Sequence, residues 1–306
     1  MILTVTLNAA LDLTYRVPRL LPHALHRVAR AAERPGGKGL NVARVLAALG
    51  HETVVTGFAG GPTGNTLRRL LAECAGPLTD ALVPITGDTR RTVGVADDST
   101  GDTTQLNEGG PDVTPDEWAA FDERYVRLLR NARAVALCGS LPPGVPVGAY
   151  AHLVREARAR HVPVLLDTSG EPLRRGVAAR PDVVKPNAAE LAALTGSTEP
   201  LRAALDTRRR GAHAVAASLG PEGILAVTPD GTWHATPPKP LPGNPTGAGD
   251  SAVAGLLSAW SEGLPWPDRL TRAVALSAAT VRAPAAGEFD RATYEETLTR
   301  IRVREL

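Results

Sequence analysis

Short, uniformly apolar runs alternate along this chain with segments whose apolar positions recur every three or four residues. Residues 2–7 read as a buried strand, as do 53–58, 134–138, 163–167, 182–185 and 214–218. Residues 41–49 place Val42, Val45, Leu46 and Leu49 on one helical face and stop at Gly50, and residues 63–74 do the same with Leu67, Leu70, Leu71 and Cys74. Thr114-Pro-Asp-Glu117 joins a capping box to a proline in the first helical position, which predicts a helix from there to about residue 130. This alternation predicts an α/β fold whose parallel sheet is covered by helices on both faces. Residues 224–227 and 232–235 read as a hairpin turned at Pro229-Asp230-Gly231, with three helices after it.

Two regions break the rhythm. Residues 12–33 and 89–108 carry strand-like pieces and turns with no helix to follow, the second folding as a hairpin across Asp98-Ser-Thr-Gly-Asp102. Both are expected to join a small sheet that projects from the main body as a lid. No repeat, low-complexity tract or linker divides the rest, so the expectation is one domain spanning 1–306 plus that lid.

Composition narrows the function classes. Apolar residues make up 43% of the 306 positions and charged residues 22%, as in an ordinary globular domain. The net charge of +2 comes from interspersed charges and aromatics are only 4%, so neither a basic stripe nor a stacking platform for nucleic acid is present. No apolar run reaches the roughly 18 residues of a membrane span. Cys74 and Cys138 lie in apolar stretches without metal-ligand spacing, as expected of buried thiols in the cytoplasm.

The segment Gly243-Asn-Pro-Thr-Gly-Ala-Gly-Asp250 holds the most chemistry. Its glycines run into a helix of small apolar residues, where free backbone N–H groups and the helix dipole favour an anion. Asp250 stands at that junction, either as a simple helix-start carboxylate or as a base beside the anion. Pro35-Gly-Gly-Lys-Gly-Leu-Asn41 is a second glycine-rich approach to a helix, but it is neither a P-loop nor a dinucleotide fingerprint. Gly57-Phe-Ala-Gly-Gly-Pro-Thr-Gly64 reads better as close helix–sheet packing than as a ligand loop. In Lys185-Pro-Asn-Ala-Ala-Glu190 the amide and carboxylate are three apart. They suit either an N-cap or the hydration shell of Mg²⁺. Ser218-Leu-Gly-Pro-Glu-Gly223 is a tight turn between strands, able to hold nucleotide phosphates.

Taken in order, these motifs resemble the PfkB-type carbohydrate kinases of the ribokinase-like fold, in their 1-phosphofructokinase and tagatose-6-phosphate kinase branch. The resemblance also rests on Thr6-Leu-Asn-Ala-Ala-Leu-Asp12 and Cys138-Gly-Ser-Leu-Pro-Pro-Gly144 and covers nearly the full length. It implies a three-layer α/β/α body. It implies Asp250 as general base and the backbone of Gly247, Ala248 and Gly249 as the anion hole. Asp12, Gly37, Lys38, Asn41 and Glu108 would bind the sugar, with Arg27, Arg90 and Lys38 clamping its phosphate. ATP would meet Lys185, Asn187, Ser218, Gly220, Gly223 and Ser277, and Mg²⁺ would be held by Asn187 and Glu190 through water. The implied reaction is ATP-dependent phosphorylation of a ketohexose phosphate: fructose 1-phosphate first, then tagatose 6-phosphate or fructose 6-phosphate. The alternatives are a kinase of an unphosphorylated sugar or nucleoside, and a non-catalytic sugar-phosphate or nucleotide sensor. The resemblance further implies a homodimer joined through the lid, where Val93 and Val95 alternate. Ala9, Pro245 and Arg91-Thr92 depart from the family pattern.

Overall fold

The computed structural model describes residues 1–28 and 31–306; residues 29 and 30, inside the expected 12–33 lid region, lie outside the described residues. In chain order the strands of the first half are β1 (Ile2–Thr6), β2 (Ala10–Val17), β3 (Ala32–Gly36), β4 (Thr53–Gly60), β5 (Leu78–Asp80), β6 (Val83–Ile85), β7 (Arg90–Asp97) and β8 (Thr103–Asn107). Those of the second half are β9 (Ala134–Cys138), β10 (Val164–Asp167), β11 (Val183–Val184), β12 (Ala214–Ser218), β13 (Ile224–Val227), β14 (Thr232–Thr236) and β15 (Arg302–Glu305). The helices are α1 (Lys38–Ala48), α2 (Gly61–Ala72), α3 (Pro115–Leu129), α4 (Ala149–Ala159), α5 (Gly170–Ala178), α6 (Ala188–Thr195), α7 (Pro200–Arg209), α8 (Ala248–Ser261), α9 (Trp266–Val281) and α10 (Arg291–Leu298).

The main sheet runs β15-β14-β13-β12-β11-β10-β9-β1-β4-β5, with β6 also on β4. From β12 to β5 every pairing is parallel, and the β12–β13–β14–β15 edge is antiparallel. Alternate side chains of β1 and β9 divide between two cores. Leu3, Val5, Val135 and Leu137 meet Phe121, Tyr150 and Leu153 on one face. Ile2, Ala134 and Ala136 meet Val42, Val45 and Leu256 on the other. Helices therefore cover both faces, as the apolar runs predict. Thr114 and Glu117 form the expected capping box, and Phe121, Tyr125 and Leu129, at four-residue spacing, bury the inner face of α3. At Gly57 an added Cβ would overlap Thr6 O on the neighbouring strand, so this glycine serves packing.

The four strands β3-β2-β7-β8 make a separate small sheet. Only β2 and β7 are parallel within it. Its hairpin crosses 98–102 as expected, but the first expected region is followed at once by α1, which begins at Lys38 rather than at residue 41. That shift puts Lys38 in the first helical turn. Helix α2 ends at Ala72, leaving Cys74 beyond it and only half-buried, while Cys138 is buried as expected. Strands β5, β6 and β15 are too short or too polar for their sequence pattern to reveal.

Candidate active site

The C-terminal ends of β10, β11 and β12, the starts of α1 and α8, and one face of the small sheet enclose a cleft of about 780 Å³. Asp250 lies at its floor. It is 7% exposed and sits in the first turn of α8, behind Gly247, whose φ of 85° favours glycine. Its Oδ2 accepts a hydrogen bond from Asn41 Nδ2 at 2.8 Å. Burial, and next the charge of Asp167, push the Asp250 carboxyl up to about 7, against the Asn41 hydrogen bond and the Lys38 and Lys185 ammoniums.

Asp167 was not singled out by its motif. It ends β10, is 1% exposed, and its Oδ1 accepts from Lys38 Nζ at 3.0 Å. Its Oδ2 lies 3.6 Å from Lys185 Nζ and has no hydrogen-bond partner among the described residues. Burial disfavours the Lys38 ammonium, yet Asp167, Asp250 and Glu190 together raise its pKa above the ordinary lysine value. The signal that could have found Asp167 was positional: a carboxylate at the carboxyl end of a predicted parallel strand, where open α/β sheets bind ligands.

The start of α8 corrects one expectation. Ala248 N–H donates to Pro245 O at 3.0 Å, closing the turn before the helix, so it is not free for an anion. The N–H groups of Gly247, Gly249 and Asp250 have no protein acceptor among the described residues. The anion-accepting set is thus Gly247, Gly249 and Asp250. Lys185 reinforces it, since a Cβ at Gly249 would lie 3.5 Å from its Nζ.

On the small-sheet side, Asp12 lines the cleft beside Thr92, its partner in the β2–β7 register. Burial lifts its carboxyl to about 6, opposed by the Thr92 hydrogen bond and by Arg90 and Arg44. Gln105 and Asn107 reach the cleft from β8. Gly37, whose φ is 108°, leads into Lys38 and Asn41. The remaining expected sugar-side residues separate. Arg90 lies behind Asp12, donating to Asn8 O and Glu108 O, each at 3.2 Å. Glu108 turns to Arg91, accepting from its backbone N–H at 2.8 Å and from Nε at 3.3 Å. Arg27 is exposed and does not line the cleft.

Ser218, Gly220, Gly223 and Ser277 also line the cleft. Gly220 and Gly223 adopt φ values of 62° and 92° around a 3-10 turn. Val274, Ala278 and Val281 give this end an apolar surface. Asn187 and Glu190 realise the capping reading. Asn187 Oδ1 accepts from Glu190 N–H at 2.8 Å, and Glu190 Oε2 accepts from Asn187 N–H at 2.9 Å. That arrangement leaves Glu190 Oε1 uncommitted. No group of three or more His, Cys, Asp or Glu among the described residues could cage a metal. The free Glu190 Oε1 beside Asn187 fits contact with a divalent ion through its water shell.

Lys239 lines the same cleft, in the segment between β14 and α8. The sequence has only three lysines against 31 arginines, and all three, Lys38, Lys185 and Lys239, face this one cavity. The compact ammonium charges of the chain are thus gathered in this one cleft, two of them beside Asp167.

The model of the pfkB family carbohydrate kinases matches residues 3–292. The 1-phosphofructokinase of Rhodobacter capsulatus is 40% identical over 282 residues, which cover 90% of this chain and 89% of that protein. The structure of phosphofructokinase-2 from Escherichia coli in complex with fructose-6-phosphate superposes with a TM-score of 0.90 at 28% identity, covering 98% of each chain. Arabidopsis thaliana ribokinase, in a structure with ribose and ATP, gives 0.74 at 22% identity over 97% of this chain and 98% of that one. This last likeness speaks to the fold alone, which is ribokinase-like.

Proposed function

The chain belongs to the pfkB family of carbohydrate kinases, and on that premise we propose that it transfers the terminal phosphoryl group of ATP to a hydroxyl of a ketohexose phosphate. The favoured acceptor is fructose 1-phosphate, phosphorylated at O6 to give fructose 1,6-bisphosphate. Tagatose 6-phosphate and fructose 6-phosphate come next. The observation that carries this reading is Asp250: a buried carboxyl at about 7, next to unpaired N–H groups at a helix start.

A free aspartate near 4 is a poor acceptor for a hydroxyl proton. At about 7 Asp250 is better matched to the work, with both its ionised and its protonated form populated near neutrality. As the sugar oxygen bonds to phosphorus, Asp250 takes its proton and the bond to the ADP oxygen breaks. The N–H groups of Gly247 and Gly249 and the Lys185 ammonium meet the charge on the transferred oxygens. Asn41 holds the Asp250 carboxylate, while Asp12 and Thr92 orient the sugar hydroxyls. Asn187 and Glu190 would hold Mg²⁺ through its water shell, and the ion supplies charge neutralisation on the phosphates. Ser218, Gly220, Gly223 and Ser277 form the nucleotide end.

The small sheet serves as the lid. Asp12, Thr92, Gln105 and Asn107 point from it into the cleft. Cross-strand register then puts Leu13, Tyr15, Val93, Val95 and Leu106 on its other face. That apolar face, on which Leu106 is exposed, supports a homodimer formed lid to lid.

The test is a turnover assay with ATP and a panel of fructose 1-phosphate, fructose 6-phosphate, tagatose 6-phosphate and the free ketohexoses. Highest kcat/KM on fructose 1-phosphate is expected. Preference for a free sugar, or absence of turnover on all of them, would overturn the reading.

A further inference from the structure

Beyond the kinase cleft, we propose a second ligand site, for a small polyphosphate or multiply phosphorylated anion, at the opposite end of the same three strands. A cavity of about 670 Å³ opens where β10, β11 and β12 begin, close to the volume of many metabolite sites. Arg158, Arg180, Arg208 and Arg209 line it with His161 and His213. Asp182 is the one carboxylate among the lining residues, and its Oδ2 is already engaged by Val164 N–H at 2.9 Å.

None of these four arginines forms an ion pair among the described residues. Their immediate neighbours do: Arg160 pairs with Glu156, Arg174 and Arg175 with Glu171, and Arg210 with Asp206. Four guanidiniums without a carboxylate partner are thus gathered on one cavity wall. Two of them are held in place by backbone. Arg158 donates to Arg180 O, and Arg208 donates to His213 O at 2.8 Å and Thr228 O at 2.9 Å. Each still has N–H groups left to offer in a planar fork, the geometry that suits phosphate oxygens.

The competing explanation is that basic side chains here only offset helix dipoles, because α4, α5 and α7 all end at this cavity. Each C-terminus carries about half a negative charge, so three of them fall well short of four guanidiniums. The residues just past those ends point the same way. After α7 the chain turns through Gly211 with φ of 143°, but after α4 and α5 the left-handed positions are filled by His161 at 57° and Arg180 at 64°. Glycine is the ordinary occupant of such a position. Two cation-capable side chains stand there instead, both on the cavity wall.

The site is separate from catalysis in space. β10 begins at Val164 by the cavity and ends at Asp167 in the cleft, and β12 runs likewise from Ala214 to Ser218. Ligands of the kinase cleft therefore do not reach it, and its occupancy can be read locally.

The experiment is arginine-selective labelling of the intact protein with phenylglyoxal, mapped by mass spectrometry, with and without inorganic tripolyphosphate at about 0.15 M ionic strength. Tripolyphosphate is expected to slow labelling of Arg180 and Arg209 about ten-fold and saturably. In Arg209→Gln the protection of Arg180 should fall, while basal kcat stays at the wild-type value and so reports intact folding. Equal slowing by sodium sulfate at matched ionic strength would show an adventitious ion only. That result, or Arg180 protection undiminished in Arg209→Gln, would overturn the proposal.

Discussion

Asn41 donates its side-chain N–H to Asp250 Oδ2 at 2.8 Å, across 209 residues of chain. This bond favours the ionised carboxylate, against the burial and the Asp167 charge that disfavour it. Asn41→Leu should therefore move the acid limb of the kcat–pH profile to higher pH, from its wild-type position near 7. An acid limb left in place would separate Asn41 from the proton acceptor. Asp250→Asn should lower kcat by at least ~10³, about 4 kcal/mol of barrier, without unfolding the protein. Stability carries the same signature. A carboxyl raised in the folded state binds its proton more tightly there, so its stabilising contribution is complete below the unfolded value of 3.8 and is lost as pH rises through about 7. Asp12, raised to about 6, acts in the same direction. Thermal unfolding of ligand-free protein should show this slope between those limits, and Asp250→Asn should flatten its upper part.

Asp167 tests the opposite sign. It raises the Asp250 carboxyl and compensates two ammoniums, Lys38 and Lys185. Asp167→Asn should shift the acid limb to lower pH, contrary to Asn41→Leu. It should also cost about 3 kcal/mol of stability, because a buried cation loses its partner. Denaturant titration and a pH–rate profile check the two effects separately. Loss of stability with an unmoved acid limb would make Asp167 a structural ion-pair member only.

The contrast between Asp250 and Asp167 shows what the chain makes legible. Asp250 announces itself because local chemistry surrounds it: two glycines, a helix start and a run of small residues. Asp167 has no such neighbours, and its partners arrive from 129 residues upstream and 18 residues downstream through the strand order. The body of the fold was readable for the same reason as Asp250, since buried parallel strands such as β9 and β12 are short apolar runs in their own right. β5, β6 and β15 were not, because their pairing is set by neighbouring strands and not by pattern. The small sheet falls between these cases: its hairpin has a turn signal, while the β2–β7 pairing joins residues 80 apart, as Asp12 with Thr92. The Ala248 N–H was missed because its acceptor, Pro245 O, depends on a turn that residue types alone do not fix.

Glu190 allows the cap and the magnesium role to be told apart. Glutamine at the third helical position still accepts from the Asn187 N–H, so Glu190→Gln preserves the capping box. Stability should stay within about 0.5 kcal/mol of wild type. The Mg²⁺ concentration for half-maximal activity should rise about ten-fold, as the loss of one carboxylate near a hydrated ion implies. Unchanged Mg²⁺ dependence with unchanged stability would leave Glu190 as a cap.

Arg90 approaches the sugar end from behind Asp12, with its guanidinium on Asn8 O and Glu108 O. If it clamps a phosphate already on the acceptor, Arg90→Ala should raise KM for the sugar phosphate about ten-fold or more while KM for ATP changes little. Arg91, which is tied to Glu108 on the exposed side, is the control, and Arg91→Ala should leave both constants alone. Equal rises in both KM values after Arg90→Ala would indicate disturbance of the lid and not loss of a phosphate contact.

The lysines provide a test that needs no substitution. Only Lys38, Lys185, Lys239 and the N-terminus carry amines, and the three side chains share the cleft. Lys239 is exposed, whereas Lys185 is buried and Lys38 is held protonated by the carboxylates around it. An amine-selective acylating reagent should therefore modify Lys239 first and Lys38 and Lys185 slowly, because acylation requires an accessible, unprotonated amine. If Lys239 overlies the nucleotide end, ATP should slow its labelling about ten-fold, whereas the sugar phosphate alone should not. Mass spectrometry resolves the three sites in one digest. Labelling of Lys239 at the same rate with and without ATP would remove it from the nucleotide site and leave Ser218, Gly220, Gly223 and Ser277 as that wall.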